Sequence, residues 1–303
     1  MKTLLEKLRP YAAALAMCAA TTASLAADKL PVMASFSILA DLVRVVGGER
    51  VVVTTLVGPD EDAHVFEPKP LDAKNMLQTR LLVLNGLGFE PWAQKLVKAS
   101  GYKGQTVVAS QGITARTLHA DKGHTHQETD PHAWQDPVNV VLYVRNISTA
   151  LSRLDPAGAS SYQSNSQAYI EELQTLDAWA KAQIAALPIG ERKVITSHDA
   201  FGYFAAHYQL RFLAPQGVST EAEPSAKAVA QLIQQIRREK IRAVFIENMG
   251  NPKLLAQLAK DAGVTMGPSL YADALSSPDK PGSTYLKMMR YNVSQLVAGM
   301  AKN

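Results

Sequence analysis

Short β-branched runs alternate with helical stretches twice along this chain, and a long helical segment separates the two series. The first series places strands at LPVMASF, VVVTTLV, RLLVLNG and TVVAS, with helices at ILADLVRVVGG and EPWAQKLVKAS. The second has strands at RKVITS, LRFLAP, IRAVFIE and GVTMGPSLY, with helices at AFGYFAAHY, AKAVAQLIQQIRREK and NPKLLAQLAKDAG. Strand–helix alternation of this kind predicts an α/β fold. It has two lobes, each a parallel β-sheet flanked by helices, because parallel strands need crossover helices that cover both faces. Between them DPVNVVLYVRNISTALSRLD reads as one helix and residues 156–188 as a second, longer one. Pro156 suits its first turn and Pro188 ends it. Unbroken, it would be a rod of roughly 45 Å, a long rigid interdomain helix that leaves a cleft between the lobes.

The first 26 residues stand apart from this pattern. Lys2, Lys7 and Arg9 precede the apolar run YAAALAMCAA, and small residues follow at Ser24 and Ala26. That order predicts a secretory signal peptide over 1–26, cut after Ala26. The apolar run is too short to span a bilayer as a stable helix. The expected domains are then an N-terminal lobe over 27–155, the linking helix over 156–188 and a C-terminal lobe over 189–303. Cys18 is the only cysteine and lies inside the leader. Met17 before it is bulky where a lipoprotein cleavage box wants a small residue, so a lipid anchor is not expected. The mature chain would hold neither disulfides nor thiolate ligands. Removing the leader takes away three cations and Glu6 and leaves a formal charge of +2. With no basic stripe, nucleic acid is not an expected partner.

Four residues fall beyond the carboxyl ends of predicted strands, where open α/β sheets bind ligands. They are His64 in DAHVFEP, His132 in DPHAWQDP, His198 in SHDAFGYF and Asp273 in YADAL, two from each lobe. Three imidazoles and a carboxylate suit four-coordinate zinc. Their wide separation is no metal signature, and a lone histidine is more often packed or solvated than a ligand. Asp273 also reads as a cap for the turn that follows it. Asp60, Glu61, Asp62, Asp199 and Glu247 lie near these ligands in sequence or at strand ends. They are candidates to accept the second ring N–H of an imidazole, with solvated turn residues (Glu61 especially) and a helix cap (Glu247) as the plainer readings. Trp134 and Tyr203 are candidate aromatic covers, and His207 reads as a surface or packing residue.

Together DAHVFEP, DPHAWQDP, SHDAFGYFA and YADAL resemble the metal-specific solute-binding proteins of ABC importers, the zinc and manganese receptors of the ZnuA and TroA kind. The likeness covers residues 30 to 303 and looks nearest to the AztC-type zinc receptors. It implies metal ligands at His64, His132, His198 and Asp273. Manganese-preferring relatives commonly carry glutamate at the place of His198, and imidazole suits zinc better than manganese. Copper would bind such a site at least as tightly. The resemblance also marks HADKGHTHQ, with His119, His124 and His126, as an accessory histidine loop for weak zinc capture or handover.

The expected function is periplasmic: capture of Zn2+ as a transported ligand and delivery to an inner-membrane ABC permease by a monomer, with a periplasmic zinc chaperone as a candidate donor. A manganese or mixed receptor is the alternative, an adhesion protein a third class, and a zinc-dependent hydrolase a remote one. No HExxH, GxSxG or phosphate-binding glycine motif is present. The chain is therefore read as no enzyme.

Overall fold

A computed structural model describes residues 28–118, 128–250 and 252–303. The signal-peptide segment and the three loop histidines at 119, 124 and 126 lie outside the described residues.

The first lobe is built on β1 (Leu30–Phe36), α1 (Ser37–Gly47), β2 (Val51–Val57), α2 (Pro70–Met76), β3 (Leu81–Leu84), α3 (Ala93–Ser100) and β4 (Gln105–Val108). Its four strands are all parallel in the order β2-β1-β3-β4. β1 is central and buried along nearly its whole length, as a strand covered on both faces must be. Helix α1 buries Ile38, Leu39, Leu42, Val43 and Val46, an apolar stripe at helical spacing. Phe36, Phe89 and Trp134 form a buried aromatic cluster with centroids 4.7 to 5.0 Å apart. Each such pair adds about 0.5–1.5 kcal/mol beyond its area, and the cluster forms the floor on which two site histidines rest. A short antiparallel ribbon, β5 (Thr117–Leu118) with β6 (Glu128–Thr129), follows.

Two helices follow, and the second of them crosses to the second lobe. In α4 (Pro137–Leu154), Asp136 accepts the Val138 N–H and Pro137 occupies the first turn, two start signals in adjacent residues. A 3-10 turn at Pro156–Gly158 precedes α5 (Ala159–Ala185), so the linking helix begins later than Pro156 suggests and runs about 40 Å. It buries Tyr162, Ser166, Tyr169, Ile170, Leu173, Leu176, Ala180 and Ile184 as one long stripe.

The second lobe contains β7 (Lys193–Ile195), α6 (Gly202–Tyr208), β8 (Arg211–Leu213), α7 (Ala226–Glu239), α8 (Pro252–Ala262) and α9 (Tyr285–Met300). Helix α5 packs along α1 and α4 of the first lobe and along α9 of the second, which makes it a strut rather than a tether. IRAVFIE joins β7 through a single parallel bridge, Val244 to Ile195, and GVTMGPSLY joins IRAVFIE through two more, Val244–Met266 and Glu247–Leu270, rather than as full ladders. Pro268 explains the interruption, since it lacks the N–H a ladder needs. Helix α9, which the strand–helix alternation does not announce, is capped by Thr284 and covers the second sheet through Tyr285, Met288, Met289, Val293 and Leu296.

His207 is neither free surface nor simple packing. Its Nε2 lies 2.7 Å from Asp177 Oδ1 on α5, and its Nδ1 lies 3.5 Å from Asp136 Oδ2 at the head of α4. Lys181 and Tyr208 also donate to Asp177. Burial works against the Asp177 anion, but these three donors together hold its carboxyl below the usual range. The cluster ties α4, α5 and α6 behind the cleft. Among the described residues no helix is long and apolar enough to cross a membrane.

Candidate metal centre

His64, His132, His198 and Asp273 are each delivered by a different loop and meet at one point. One donor atom from each lies within 4.8 Å of the others, and all four residues are buried. The loop after β2 carries His64 and the segment after β6 carries His132. His198 follows β7, and Asp273 follows the bridged stretch ending at Leu270. His64 Nε2 and His198 Nε2 each lie 3.3 Å from His132 Nε2. Asp273 carboxylate oxygens lie 3.3, 3.5 and 3.1 Å from the Nε2 atoms of His64, His132 and His198. These are ion-pair distances, yet neither Asp273 oxygen has a hydrogen-bond partner among the described residues.

The outer nitrogens explain why the Nε2 lone pairs converge. His132 Nδ1 lies 2.9 Å from Asp130 Oδ1, which also accepts the His132 backbone N–H. His198 Nδ1 meets Glu247 Oε2, while Glu247 Oε1 accepts the backbone N–H groups of Ser197 and His198. An Nδ1–H given to a carboxylate leaves Nε2 as the acceptor and makes it more basic. His64 sits edge-on against Phe89 at 4.8 Å, and His132 edge-on against Trp134 at 5.2 Å.

In the metal-free protein the charges compensate one another. Burial disfavours the His198 imidazolium, but Glu247 and then Asp273 outweigh it and raise the pKa well above the usual histidine value. Burial likewise disfavours the Asp273 anion, and the neighbouring imidazoles, His198 foremost, nevertheless hold its carboxyl well below the ordinary range.

Of the residues weighed as imidazole partners, Glu247 meets one. Asp130 meets another and was not singled out, although its position two residues before His132 is the spacing at which a carboxylate caps a backbone N–H. Asp60 and Asp62 instead form bonds to the second lobe, through Asn248, Lys280 and Thr220. Glu61 is exposed and accepts the Gly58 N–H, as a turn residue would. Asp199 gives its backbone N–H to Gly217, and burial raises its carboxyl pKa. Trp134 covers the site. Tyr203 supports it from behind, donating to the Asp130 carbonyl and accepting the Arg116 N–H. Gly202 permits that close approach, since a Cβ there would stand 2.5 Å from Asp130 Oδ2.

Two α/β lobes on a helical strut, with buried nitrogen and oxygen donors meeting at the strand ends, define a receptor for a divalent cation. The chain belongs to the ZnuA family, described as zinc-uptake complex component A, periplasmic, whose model matches residues 32–299. It is 31% identical over 275 residues to the manganese-binding lipoprotein MntA of Halalkalibacterium halodurans, covering 91% of this chain and 90% of that one. It is 30% identical over 297 residues to the iron ABC transporter substrate-binding lipoprotein MtsA of Streptococcus pyogenes, covering 95% and 94%. The periplasmic zinc-binding protein TroA of Treponema pallidum superposes with a TM-score of 0.84 at 28% identity, covering 90% of this chain and 99% of that one. The protein is thus an extracytoplasmic, metal-binding receptor of an ABC transporter and not an enzyme, and its partner is the transporter's membrane permease.

Proposed function

We propose that the cargo is zinc, held by His64, His132, His198 and Asp273 in the cleft between the lobes and handed to the permease for import. The observation that carries this reading is the spacing of the donors around an Asp273 carboxylate with no hydrogen-bond partner. In a tetrahedral shell with bonds of about 2.0–2.1 Å, neighbouring donors stand about 3.3–3.4 Å apart. The two imidazole–imidazole contacts to His132 are both 3.3 Å, and the imidazole contacts to Asp273, shared between its two oxygens, run from 3.1 to 3.5 Å, close to these edges. Three nitrogens and one oxygen also follow zinc's ligand preference, whereas manganese favours oxygen-rich shells. Manganese is the second reading, because MntA, a relative of similar length, is named for it.

Competition between the two ions for the metal-free protein tests the choice. Zinc is expected to bind one per chain and to be retained against equimolar manganese, with X-ray absorption showing three nitrogens and one oxygen at about 2.0–2.1 Å. Retention of manganese in an oxygen-rich shell of six donors would overturn zinc.

Glu247→Gln is expected to weaken zinc binding about 10- to 100-fold, the usual cost of losing a histidine's outer partner. Glutamine cannot accept from Ser197 N, His198 N and His198 Nδ1 together, because one of its two ends is itself a donor. Equilibrium titration against a zinc chelator reads this directly, and an unchanged affinity would remove Glu247 from the site.

We further propose that the mature protein is a periplasmic monomer released after Ala26. MntA and MtsA are named lipoproteins, and an anchored form of this chain would begin at a lipid-modified Cys18. The mass of the mature N-terminus separates the two. His119, His124 and His126 would serve as a capture loop, receiving zinc from solution or from a chaperone protein.

A further inference from the structure

We infer that His64 is the gate of this receptor: the cation enters and leaves past it, and Asp60 and Asp62 are positioning residues that hold its loop shut against the second lobe. The inference rests on the cargo reading above and adds a route and a latch to it.

The four ligands are not equally fixed. His132 belongs to a segment bound to the second lobe through buried groups. Trp134 Nε1 and Gln135 Nε2 both donate to the Ala272 carbonyl, at 3.0 and 2.7 Å, and Tyr203 donates to the Asp130 carbonyl. Ala272 precedes Asp273, so these bonds lock His132 to Asp273 from the side away from solvent. Leu275 N–H donates to buried Ser37 Oγ and adds a further tie. His198 is held inside its own lobe by Glu247.

The His64 loop is attached differently. Within its lobe it hangs on Trp92 Nε1, which donates to the Ala63 carbonyl. Its ties across the cleft run through Asp60 and Asp62, both partly exposed. Thr220 Oγ1 donates to Asp62 Oδ2 at 2.7 Å, while Asp62 Oδ1 accepts the His64 backbone N–H at 2.9 Å. One carboxylate thus joins the ligand's own backbone to the opposite lobe. Asp60 accepts from Asn248 Nδ2 at 2.8 Å and Lys280 Nζ at 3.1 Å, and its N–H donates to the Leu275 carbonyl. Asp60 adopts φ of 57°, a left-handed conformation that costs energy outside glycine and persists when neighbouring bonds enforce it. Breaking the three bonds to Asn248, Lys280 and Leu275 releases that strain, so opening here is cheaper than at His132.

Solvent access points the same way. His64 is 8% exposed, whereas His132, His198 and Asp273 are at 0%. A cavity of about 480 Å³ opens beside His64, bounded by Gly88, Glu128, Pro131, Val218, Ser219 and Glu221. Ser219 and Glu221 flank Thr220, so the latch stands at the edge of this mouth. The Glu128 and Glu221 carboxylates there favour a cation's approach.

The test uses the full chain with Thr220→Val, Lys280→Met and both together, none of which touches a metal donor. Zinc-loaded protein is mixed with excess chelator in a stopped-flow instrument, and amide hydrogen exchange is followed in the metal-free protein. Thr220→Val is expected to speed release about tenfold, the loss of one hydrogen bond to a charged group. Lys280→Met should add about two- to threefold, because its ion pair is half exposed. The association rate should stay within about twofold of the parent, absorption spectra should show the same three nitrogens and one oxygen, and the Asp60 and His64 amides should exchange faster. A wild-type protein that holds no cation overturns the cargo reading, and the gate with it. A wild type that holds zinc, with a double variant that neither releases nor exchanges faster, overturns the gate and leaves the cargo reading standing.

Discussion

Replacing His132 with alanine is expected to lower zinc affinity about a thousandfold. Structural zinc sites bind with roughly 10–16 kcal/mol at neutral pH, which over four donors is about 2.5–4 kcal/mol each, or about two to three powers of ten. His132 is the donor on which that full loss should fall. Its Nε2 is the one placed 3.3 Å from both other imidazoles, and its segment bonds to Ala272 beside the fourth ligand. The ring is wholly buried, so a water replacing it would enter a pocket walled by Trp134 and Phe89 and find few partners. Equilibrium competition with a chromophoric chelator measures the loss, and circular dichroism of the metal-free variant verifies that the fold survives. A reduction under tenfold would mean that the cation is not held here.

How far the sequence discloses this site depends on the kind of residue. Two of the proposed ligands were legible from the strands before them, whose β-branched runs are plain: VVVTTLV before His64 and RKVITS before His198. Their convergence was not legible from spacing, since it depends on two lobes being held face to face by α5 and the helices beside it. The resemblance of four short motifs supplied that knowledge. Asp130 escaped notice because a carboxylate in TDPH reads equally well as a solvated turn residue, and its burial is imposed from the second lobe, by Tyr203 and by the absent side chain of Gly202. The roles of Asp60 and Asp62 were hidden for a similar reason. Local sequence suggests a neighbour's imidazole, but their partners Thr220, Asn248 and Lys280 lie about 160 to 220 residues away and become neighbours only across the cleft.

Helix α9 shows a different limit. STYLKMMRYNVSQLVAGM mixes Tyr, Met and Asn among its inward positions, and Asn292 is buried because its side chain both accepts from Tyr271 N–H and donates to the Tyr271 carbonyl. A buried polar residue satisfied by a distant backbone blurs the apolar period on which a helix reading depends. The bridged stretches near Val244 and Met266 blur in the opposite direction: the apolar run is clear, but Pro268 and the single bridges make their pairing sparser than the composition implies.

Zinc affinity is expected to fall at least about a hundredfold between pH 7 and pH 5. His198 in the metal-free protein has its pKa raised well above the ordinary value because Glu247 and Asp273 outweigh burial, so protons compete for it at higher pH than for an ordinary histidine. The proton and the cation compete for the same nitrogen, and each pH unit below the raised pKa therefore costs about tenfold per proton displaced. The metal-free protein should respond in the other direction. A histidine pKa raised by folding contributes stability that is complete below its unfolded value of about 6.5 and is lost as pH climbs through the folded value. The depressed pKa of Asp273 contributes stability present above about 3.9 and lost only as pH drops through its lower folded value. Raising the pH above neutrality should thus lower the melting temperature of the metal-free form while tightening zinc binding, so the gap between the loaded and metal-free forms widens with pH. Calorimetric titration in buffers of different ionisation enthalpy should register net proton release on zinc binding. An affinity that does not change from pH 7 to pH 5 would contradict an imidazole shell, and a melting gap that narrows as pH rises would contradict the charge compensation between His198, Glu247 and Asp273.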